Sequence, residues 1–314
     1  MQPKKAGTPS ATNTKSTQKP GSQPRNSPTA LLLFIHGFSD HSNGQHSFFP
    51  TLASRGIQVH AFDQRGWGRS VQQKSQRGLT GPTTMVLDDI TSVLESQIPI
   101  AKEKGMPLFL MGHSMGGAEV LQYAARGPED VRSQIRGYIA EAPYLALHPS
   151  SQPSRFMVIS GKMAARVLPK RQMVTKLDSK WISRDSKVNR EYEEDELCHD
   201  TGTLEGLAGM LARGDELDKD VVVLKEGNGG GQAVSLFVAH GDGDRVTCFE
   251  TSKRWFDRLD VKDKEFKRYD GWYHKLHAEP GDDKITFAND VADWIFARTG
   301  SSKISGQLES QSKL

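Results

Sequence analysis

The stretch that decides the fold is Pro107-Leu-Phe-Leu-Met-Gly-His-Ser-Met-Gly-Gly-Ala118. Its apolar run, Leu108 to Met111, predicts a buried parallel strand, and residues 118–126 predict a helix. Gly-x-Ser-x-Gly at 112–116 lies between them, in the strand, turn and helix context that exposes a nucleophilic serine. A glycine-rich turn with a surface serine is the alternative, but the preceding strand and the extra Gly117 favour a nucleophile. Ser114 is therefore predicted to react, with the N-terminus of the helix directed at a developing oxyanion.

Strands and helices alternate on both sides of this turn. Apolar runs predict strands and amphipathic stripes predict helices between them, which is the pattern of a mostly parallel sheet with helices on both faces. The sequence thus predicts an α/β fold. The predicted strands are 31–35, 57–62, 108–111, 135–140, 233–239 and 265–269.

The alternation stops between about residues 144 and 231. Apolar residues recur there at helical spacing, first Phe156, Ile159, Met163 and Val167, then Leu204, Leu207 and Leu211, with a polar stretch at 183–200 between them. This predicts a helical insertion over the carboxyl edge of the sheet, and a glycine-rich joint at 227–231 returns the chain to the core. The predicted organisation is a disordered basic tail at 1–29, a core at 30–144 and 232–300, a helical lid at 145–231, and a disordered polar tail at 301–314.

Composition excludes several classes of protein. The 314 residues carry a net charge of +3, but residues 1–30 hold five basic residues and no acid, which leaves the remainder near −2 (3 − 5). The folded part is therefore not basic enough to indicate nucleic-acid binding. There is no apolar run of transmembrane length and no N-terminal secretory pattern, so a cytoplasmic location is expected. Cys198 and Cys248 lack metal-type spacing and are expected to be free thiols.

Ser114 needs a base, and the base needs an acid that fixes its tautomer. When the nucleophile lies in such a turn, the acid follows a late strand and the histidine follows the last strand. Asp244 and His274 meet these conditions. Asp242 competes as the acid and His277 competes as the base. Chain order alone does not decide between them.

The oxyanion hole needs two backbone N–H groups, one after the nucleophile and one after an earlier strand. Met115 and Phe38 occupy these places. His36-Gly37 allows the loop to turn toward Ser114, and His36 itself is expected to be structural.

Taken together, these segments resemble the monoacylglycerol lipase family, and most of all its fungal-type members. The resemblance covers about residues 30–298 and rests on five segments: Phe34-Ile-His-Gly-Phe38 with Asp40-His-Ser42, Asp63-Gln-Arg-Gly-Trp-Gly-Arg-Ser70, Gly112-His-Ser-Met-Gly-Gly117, His240-Gly-Asp-Gly-Asp-Arg245 and Tyr269-Asp-Gly-Trp-Tyr-His-Lys-Leu-His277.

The resemblance implies an α/β-hydrolase fold, a mobile helical lid, and no metal or other cofactor. It implies hydrolysis of monoacylglycerol to glycerol and fatty acid, with peripheral contact to a membrane or lipid droplet. The family's acid falls on Asp244 and its base on His274. Contacts to the glycerol side of the substrate fall on Asp40, His113 and His277.

The sequence departs from the family in two places. Family members begin with an antiparallel strand pair, and nothing upstream of Thr29 is expected to form it. In the insertion, Asp195-Glu-Leu-Cys198 replaces a segment that usually reads Asp-Pro-Leu. Two other functions remain open from the sequence: a lysophospholipase or general carboxylesterase with the same triad, and a catalytically inactive binding protein on a hydrolase fold.

Overall fold

The computed structural model of the chain describes residues 11–12, 27–152, 154–227 and 234–299. The disorder predicted for the tails at 1–29 and 301–314 therefore falls almost wholly outside the described residues. No helix within the described part is long and apolar enough to cross a bilayer.

A single large sheet forms the centre of the molecule, in the order β1-β3-β2-β4-β5-β8-β9. Its strands pair in parallel except for β1, which pairs antiparallel with β3. A separate antiparallel pair, β6 and β7, lies in the insertion. The strands are β1 Ala11–Thr12, β2 Ala30–Ile35, β3 Ile57–Phe62, β4 Leu108–His113, β5 Ile135–Glu141, β6 Gln172–Val174, β7 Thr201–Thr203, β8 Ser235–Gly241 and β9 Asp263–Tyr269.

Helices cover both faces of the sheet. Along β2, Leu31 and Leu33 pack into a core shared with α2, α3 and α8, whereas Leu32 and Phe34 face a second core shared with α1 and α9. This period of two explains why the buried strands are apolar on both sides. The helices are α1 Phe48–Ser54, α2 Thr83–Glu103, α3 Met115–Arg126, α4 Glu129–Arg132, α5 Arg155–Val167, α6 Ser186–Glu194, α7 Leu204–Asp218, α8 Phe249–Arg258 and α9 Asp283–Phe296.

The parallel sheet with helices on both faces confirms the predicted fold class. One expectation is wrong in part, because β1 pairs with β3 through Ala11–Phe62 and Thr12–Ala61, so residues upstream of Thr29 do join the sheet. The polar stretch at 183–200, which lies within the predicted helical insertion, contains α6.

The insertion, residues 145–227, leaves the sheet after β5 and returns before β8. It carries α5, β6, α6, β7 and α7. Because β2, β4, β5, β8 and β9 run in parallel, their carboxyl ends lie along one edge, where ligands collect in sheets of this type. The residues after these strands form the candidate site.

Candidate active site

Ser114 lies in a turn that only glycine neighbours permit. Its φ of +57° is a conformation that non-glycine residues rarely adopt, at a cost of order 1–3 kcal/mol. A Cβ at Gly112 would lie 2.2 Å from the carbonyl oxygen of Gly116, and one at Gly116 would lie 2.4 Å from that of Ile35. The Ser114 N–H donates to the carbonyl of Glu141 at 2.9 Å, which ties the strained residue to β5. The turn therefore holds the hydroxyl in one place at the start of α3.

Residues separated by up to 160 positions meet at this hydroxyl. His274 Nε2 lies 2.8 Å from Ser114 Oγ, and His274 Nδ1 lies 2.8 Å from Asp244 Oδ2. All three side chains are buried. In this arrangement the serine hydroxyl donates to the imidazole, whose other nitrogen donates to the carboxylate. Such a chain prepares a serine for nucleophilic attack.

Asp244 is held in its charged form by the groups around it. Its Oδ1 accepts the backbone N–H groups of Val246 and Thr247, and its Oδ2 accepts from His274, from the Thr247 hydroxyl and from His240 Nε2 at 3.1 Å. Burial alone would raise the pKa of Asp244, but the charge of His274 and the bonds from His240 and His274 lower it well below its usual range. The carboxylate therefore remains available to stabilise an imidazolium.

The two competing residues lie elsewhere. Asp242 pairs with Arg268 at 2.8 Å and accepts the backbone N–H of Gly271, away from His274. His277 is fully buried, and its Nδ1 donates to Glu141 at 2.7 Å. Of the two acids and two histidines that the sequence left open, Asp244 and His274 are the ones that the fold brings to Ser114.

Phe38 and Met115 line the same cavity as Ser114. The N–H of Met115 belongs to the first turn of α3, where backbone donors have no intrahelical carbonyl partner. Phe38 follows β2 in a loop that approaches Ser114 closely, since a Cβ at Gly37 would lie 3.1 Å from Ser114 Cβ. This placement suits the N–H groups of Phe38 and Met115 as two donors to one substrate oxyanion.

A cavity of about 570 Å³ opens at Ser114. Its walls are mainly apolar and come largely from the insertion, through α5 and α7. They include Met157, Val158, Leu204, Leu207 and Leu211. A long alkyl group fits such a lining, because burial of each methylene contributes about 0.8 kcal/mol.

The residues predicted to contact the polar end of a substrate form hydrogen bonds and ion pairs with other residues of the protein. Asp40 binds the ammonium of Lys275 at 2.9 Å, and His113 Nε2 donates to the carbonyl of His274 at 3.2 Å. Burial lowers the pKa of His113 to about 3, and burial lowers that of His277 well below its usual value. None of Asp40, His113 and His277 is among the residues that line the cavity.

In the described part of the chain, one group of side chains has metal-ligand atoms close enough together to bind a single ion. Asp40, His41 and Cys198 place one ligand atom each within 4.8 Å of one another. The Lys275 ammonium already neutralises Asp40, and His41 Nε2 donates to Asp195 at 2.8 Å. Burial raises the pKa of the Cys198 thiol, so its metal-binding thiolate form is disfavoured. The contacts of this group are those of a structural cluster.

Three residues next to the site were not singled out from the sequence. Glu141 ends β5 and holds His277, Lys275 neutralises Asp40, and His240 donates to Asp244. Glu141 had a usable signal, because a carboxylate directly after an apolar buried strand needs a partner. The partners of Lys275 and His240 depend on loop geometry that the sequence does not encode locally.

The chain matches known proteins over most of its length. Residues 26–281 match the Hydrolase_4 family, described as serine aminopeptidase, S33. A Schizosaccharomyces pombe protein named "Putative monoglyceride lipase" is 34% identical over 273 residues, which cover 87% of this chain and 68% of that protein.

Solved structures of similar proteins have the same fold as this chain. A soluble variant of the Saccharomyces cerevisiae monoglyceride lipase, solved with a substrate analogue, superimposes with a TM-score of 0.82 at 27% identity and covers 90% of this chain and 91% of the other. The monoacylglycerol lipase of Paleococcus ferrophilus superimposes with a TM-score of 0.72 at 29% identity, covering 87% of this chain and 96% of the other.

Proposed function

The chain belongs to the Hydrolase_4 family of α/β-hydrolases, together with the yeast monoglyceride lipases, and on that premise we propose that it hydrolyses monoacylglycerol to glycerol and fatty acid. The observation that carries the proposal is the chain of hydrogen bonds from Ser114 through His274 to Asp244, at the mouth of an apolar cavity. The names of the relatives favour this substrate over a lysophospholipid, and the intact triad argues against an inactive scaffold.

The mechanism follows from the positions of these groups. Ser114 Oγ attacks the ester carbonyl while His274 Nε2 takes its proton, and Asp244 stabilises the imidazolium that forms. The N–H groups of Phe38 and Met115 hold the oxyanion of the tetrahedral intermediate, each contributing about 3 kcal/mol to its stabilisation. His274 then protonates the departing glycerol oxygen. Water attacks the acyl-enzyme by the same route and releases the fatty acid.

The cavity receives the acyl chain in this proposal, and the insertion acts as a lid. Helices α5 and α7 form its walls, so chain-length preference depends on the insertion and not on the triad. Asp40, His113 and His277 stay predicted contributors to the glycerol side. Their contacts with Lys275, His274 and Glu141 make them supports of the loops near that side.

Active-site labelling with a fluorophosphonate tests the proposal. The wild-type protein should label stoichiometrically and release fatty acid from monoacylglycerol faster than from lysophosphatidylcholine. Ser114→Ala should lose both the label and the activity while its melting temperature stays unchanged, because alanine keeps the Cβ and the backbone conformation and removes only the hydroxyl. A folded wild-type protein that does not label would refute the proposal. Faster hydrolysis of the lysophospholipid would show that monoacylglycerol is not the preferred substrate.

We also propose that helix α5 contacts a lipid surface. Its apolar stripe is exposed to solvent: Phe156 is 81% exposed, Val167 77%, Met163 63% and Ile159 60%. Lys162, Arg166, Lys170 and Arg171, all exposed, lie beside this stripe. An apolar face flanked by basic residues suits a helix that lies in a membrane interface with anionic head groups. The substrate resides in such an interface, so the contact would deliver it to the cavity.

The double variant Ile159→Ser/Met163→Ser tests this contact. It should bind vesicles of phosphatidylcholine and phosphatidylserine more weakly and turn over monoacylglycerol in them more slowly. Hydrolysis of p-nitrophenyl acetate should be unchanged, because that ester needs no interface. Equal losses on both substrates, together with a lower melting temperature, would instead show that the stripe packs against the protein.

A further inference from the structure

The loop that carries Phe38 is strained and needs support. Ser39, the next residue, has a φ of +53°, and its side chain is fully buried. On the core side, Asp63 accepts the N–H of Ser42 at 2.7 Å, and Lys275 binds Asp40. These contacts fix the later part of the loop. They leave the Phe38–Ser39 region to be held by other groups.

A short part of the insertion supplies those groups. The N–H of Asp200 donates to Ser39 Oγ at 2.8 Å, and Asp195 accepts from His41 Nε2 at 2.8 Å. Both contacts join positions more than 150 residues apart in the chain. The 195–200 segment of the insertion is thus bonded directly to the loop on either side of Asp40.

An aromatic stack makes a third connection. The rings of His199 and Trp67 lie parallel, with centroids 4.9 Å apart and planes 10° apart, and Trp67 in turn contacts the Phe38 ring at 4.8 Å. His199 Nε2 also donates to the carbonyl of Gly66 at 3.1 Å, which fixes the ring over Trp67. Phe38 therefore packs against a side chain whose other face is covered by the insertion.

The same segment is continuous with the exposed part of the insertion. The carbonyl of Asp200 accepts the N–H of Thr175 at 2.7 Å, and Thr201 pairs with Val174, which is 70% exposed. A displacement of the β6–β7 pair would therefore move Asp200 and, through it, Ser39.

We propose that the 195–200 segment positions the oxyanion donor Phe38, so that the insertion sets the rate of the chemical step as well as access to the cavity. This rests on the proposed function, because it assigns Asp195, His199 and Asp200 as positioning residues for that reaction. Acylation and deacylation both pass through a tetrahedral oxyanion. A misplaced Phe38 N–H consequently lowers kcat whichever step is slower.

The test uses the soluble ester p-nitrophenyl acetate, whose small acyl group makes little use of the cavity walls. Asp195→Ala and His199→Ala should each lower kcat, and the rate constant of fluorophosphonate labelling, by about tenfold or more, with KM changed by less than about threefold. Asp195→Asn keeps an acceptor for His41, and His199→Phe keeps a ring over Trp67. Both should restore kcat to within about threefold of the wild-type value.

Glu194→Ala is the matched control, because Glu194 precedes Asp195 and its side chain is exposed. It should leave kcat unchanged. Three outcomes would overturn the proposal: unchanged kcat in the alanine variants, an equal loss in Glu194→Ala, or no recovery in the conservative variants. If Asp195→Ala does not fold, the two His199 variants decide alone. A wild-type protein that neither labels nor hydrolyses monoacylglycerol refutes the proposed function itself, which is a distinct result.

Discussion

The position of one carboxylate decides which acid serves His274. Asp244 and Asp242 are two residues apart on one loop, yet only Asp244 points under the imidazole, while Asp242 pairs outward with Arg268. The backbone N–H groups of Val246 and Thr247 bind Asp244 Oδ1 and so fix the direction of its other oxygen. Both residues are aspartates, so the course of the loop decides which one contacts His274 and which one pairs with Arg268.

Asp244→Asn should lower kcat by about 10⁴-fold, because the amide favours the wrong tautomer of His274. Asp242→Asn should change kcat by less than about threefold, since it alters only a pair with an exposed arginine. Steady-state kinetics on p-nitrophenyl acetate measure both. A larger loss in Asp242→Asn would exchange the assignments.

Several site residues could be predicted from the sequence because chemistry restricts their order. The glycines predict Ser114, and the order of the strands limits its acid to Asp244 or Asp242 and its base to His274 or His277. The ion pair of Asp40 could not be predicted, because its partner Lys275 lies 235 positions away and the contact exists only after folding. Burial of His113 and His277 likewise results from the packing of several loops.

At the scale of elements, a buried ion pair fastens helix α7 of the insertion to helix α3. Arg213 Nη2 lies 3.0 Å from Glu119 Oε1, and both side chains are almost fully buried. Gln122 on α3 adds a bond to the carbonyl of Arg213 at 2.8 Å. Burial raises the pKa of Glu119 to about 7 and lowers that of Arg213. Helix α7 is thus fixed to the helix that begins at Met115, whereas α5 presents an exposed face.

Arg213→Met should lower the free energy of unfolding by about 3 kcal/mol at pH 8, because it leaves a buried carboxylate without its cation. The loss should be smaller at pH 6, where Glu119 can bind a proton. Urea denaturation at the two pH values measures this. The double variant Glu119→Leu/Arg213→Met should recover most of the loss, and a single-variant loss below about 1 kcal/mol at pH 8 would contradict the anchoring role.

Elements with a repeated apolar pattern could be predicted, and those stabilised by polar contacts could not. Helix α5 follows its apolar spacing, although the face concerned turns to solvent. Helix α6 buries only Val188, and it begins where Asp185 accepts the N–H of Lys187. The β6–β7 pair has three residues in each strand, too few for an alternating pattern to be distinguished.

At the scale of the whole molecule, burial keeps a set of histidines uncharged. Burial lowers the pKa of each of them below the usual value, so that the folded protein resists their protonation while the unfolded chain does not. Buried glutamates with raised pKa values have the opposite effect on the pH dependence of stability, but they are fewer. The histidines are His36, His46, His60, His113, His199 and His277, and the glutamates are Glu119, Glu141 and Glu279.

The free energy of unfolding should therefore be greatest above about pH 6.5, the usual histidine pKa, and should fall as the pH is lowered toward 4. Each such histidine contributes at most about 1.4 kcal/mol per pH unit in this window. Urea denaturation between pH 7.5 and 5 measures the slope. His60→Gln, on β3, should reduce it, and a slope unaffected by this substitution would exclude His60 as a contributor.

The general layout could be predicted because the regular alternation of strands and helices ends where the insertion starts. The cavity could not, since its wall is assembled from residues between Phe38 and Val246. Its size depends on how α5 and α7 rest on the core, which is a property of tertiary packing.

The insertion leaves the sheet after β5 and returns to β8, the strand that pairs with β5. For an engineer, it is a cassette whose exchange between homologues would transfer chain-length selectivity. Its 195–200 segment, however, is fitted to Ser39, His41 and Trp67 of the recipient core. A chimaera that exchanges only the cassette would inherit the donor's cavity with an ill-matched oxyanion loop. Transplanting those three core positions along with it should give hybrids that keep their turnover.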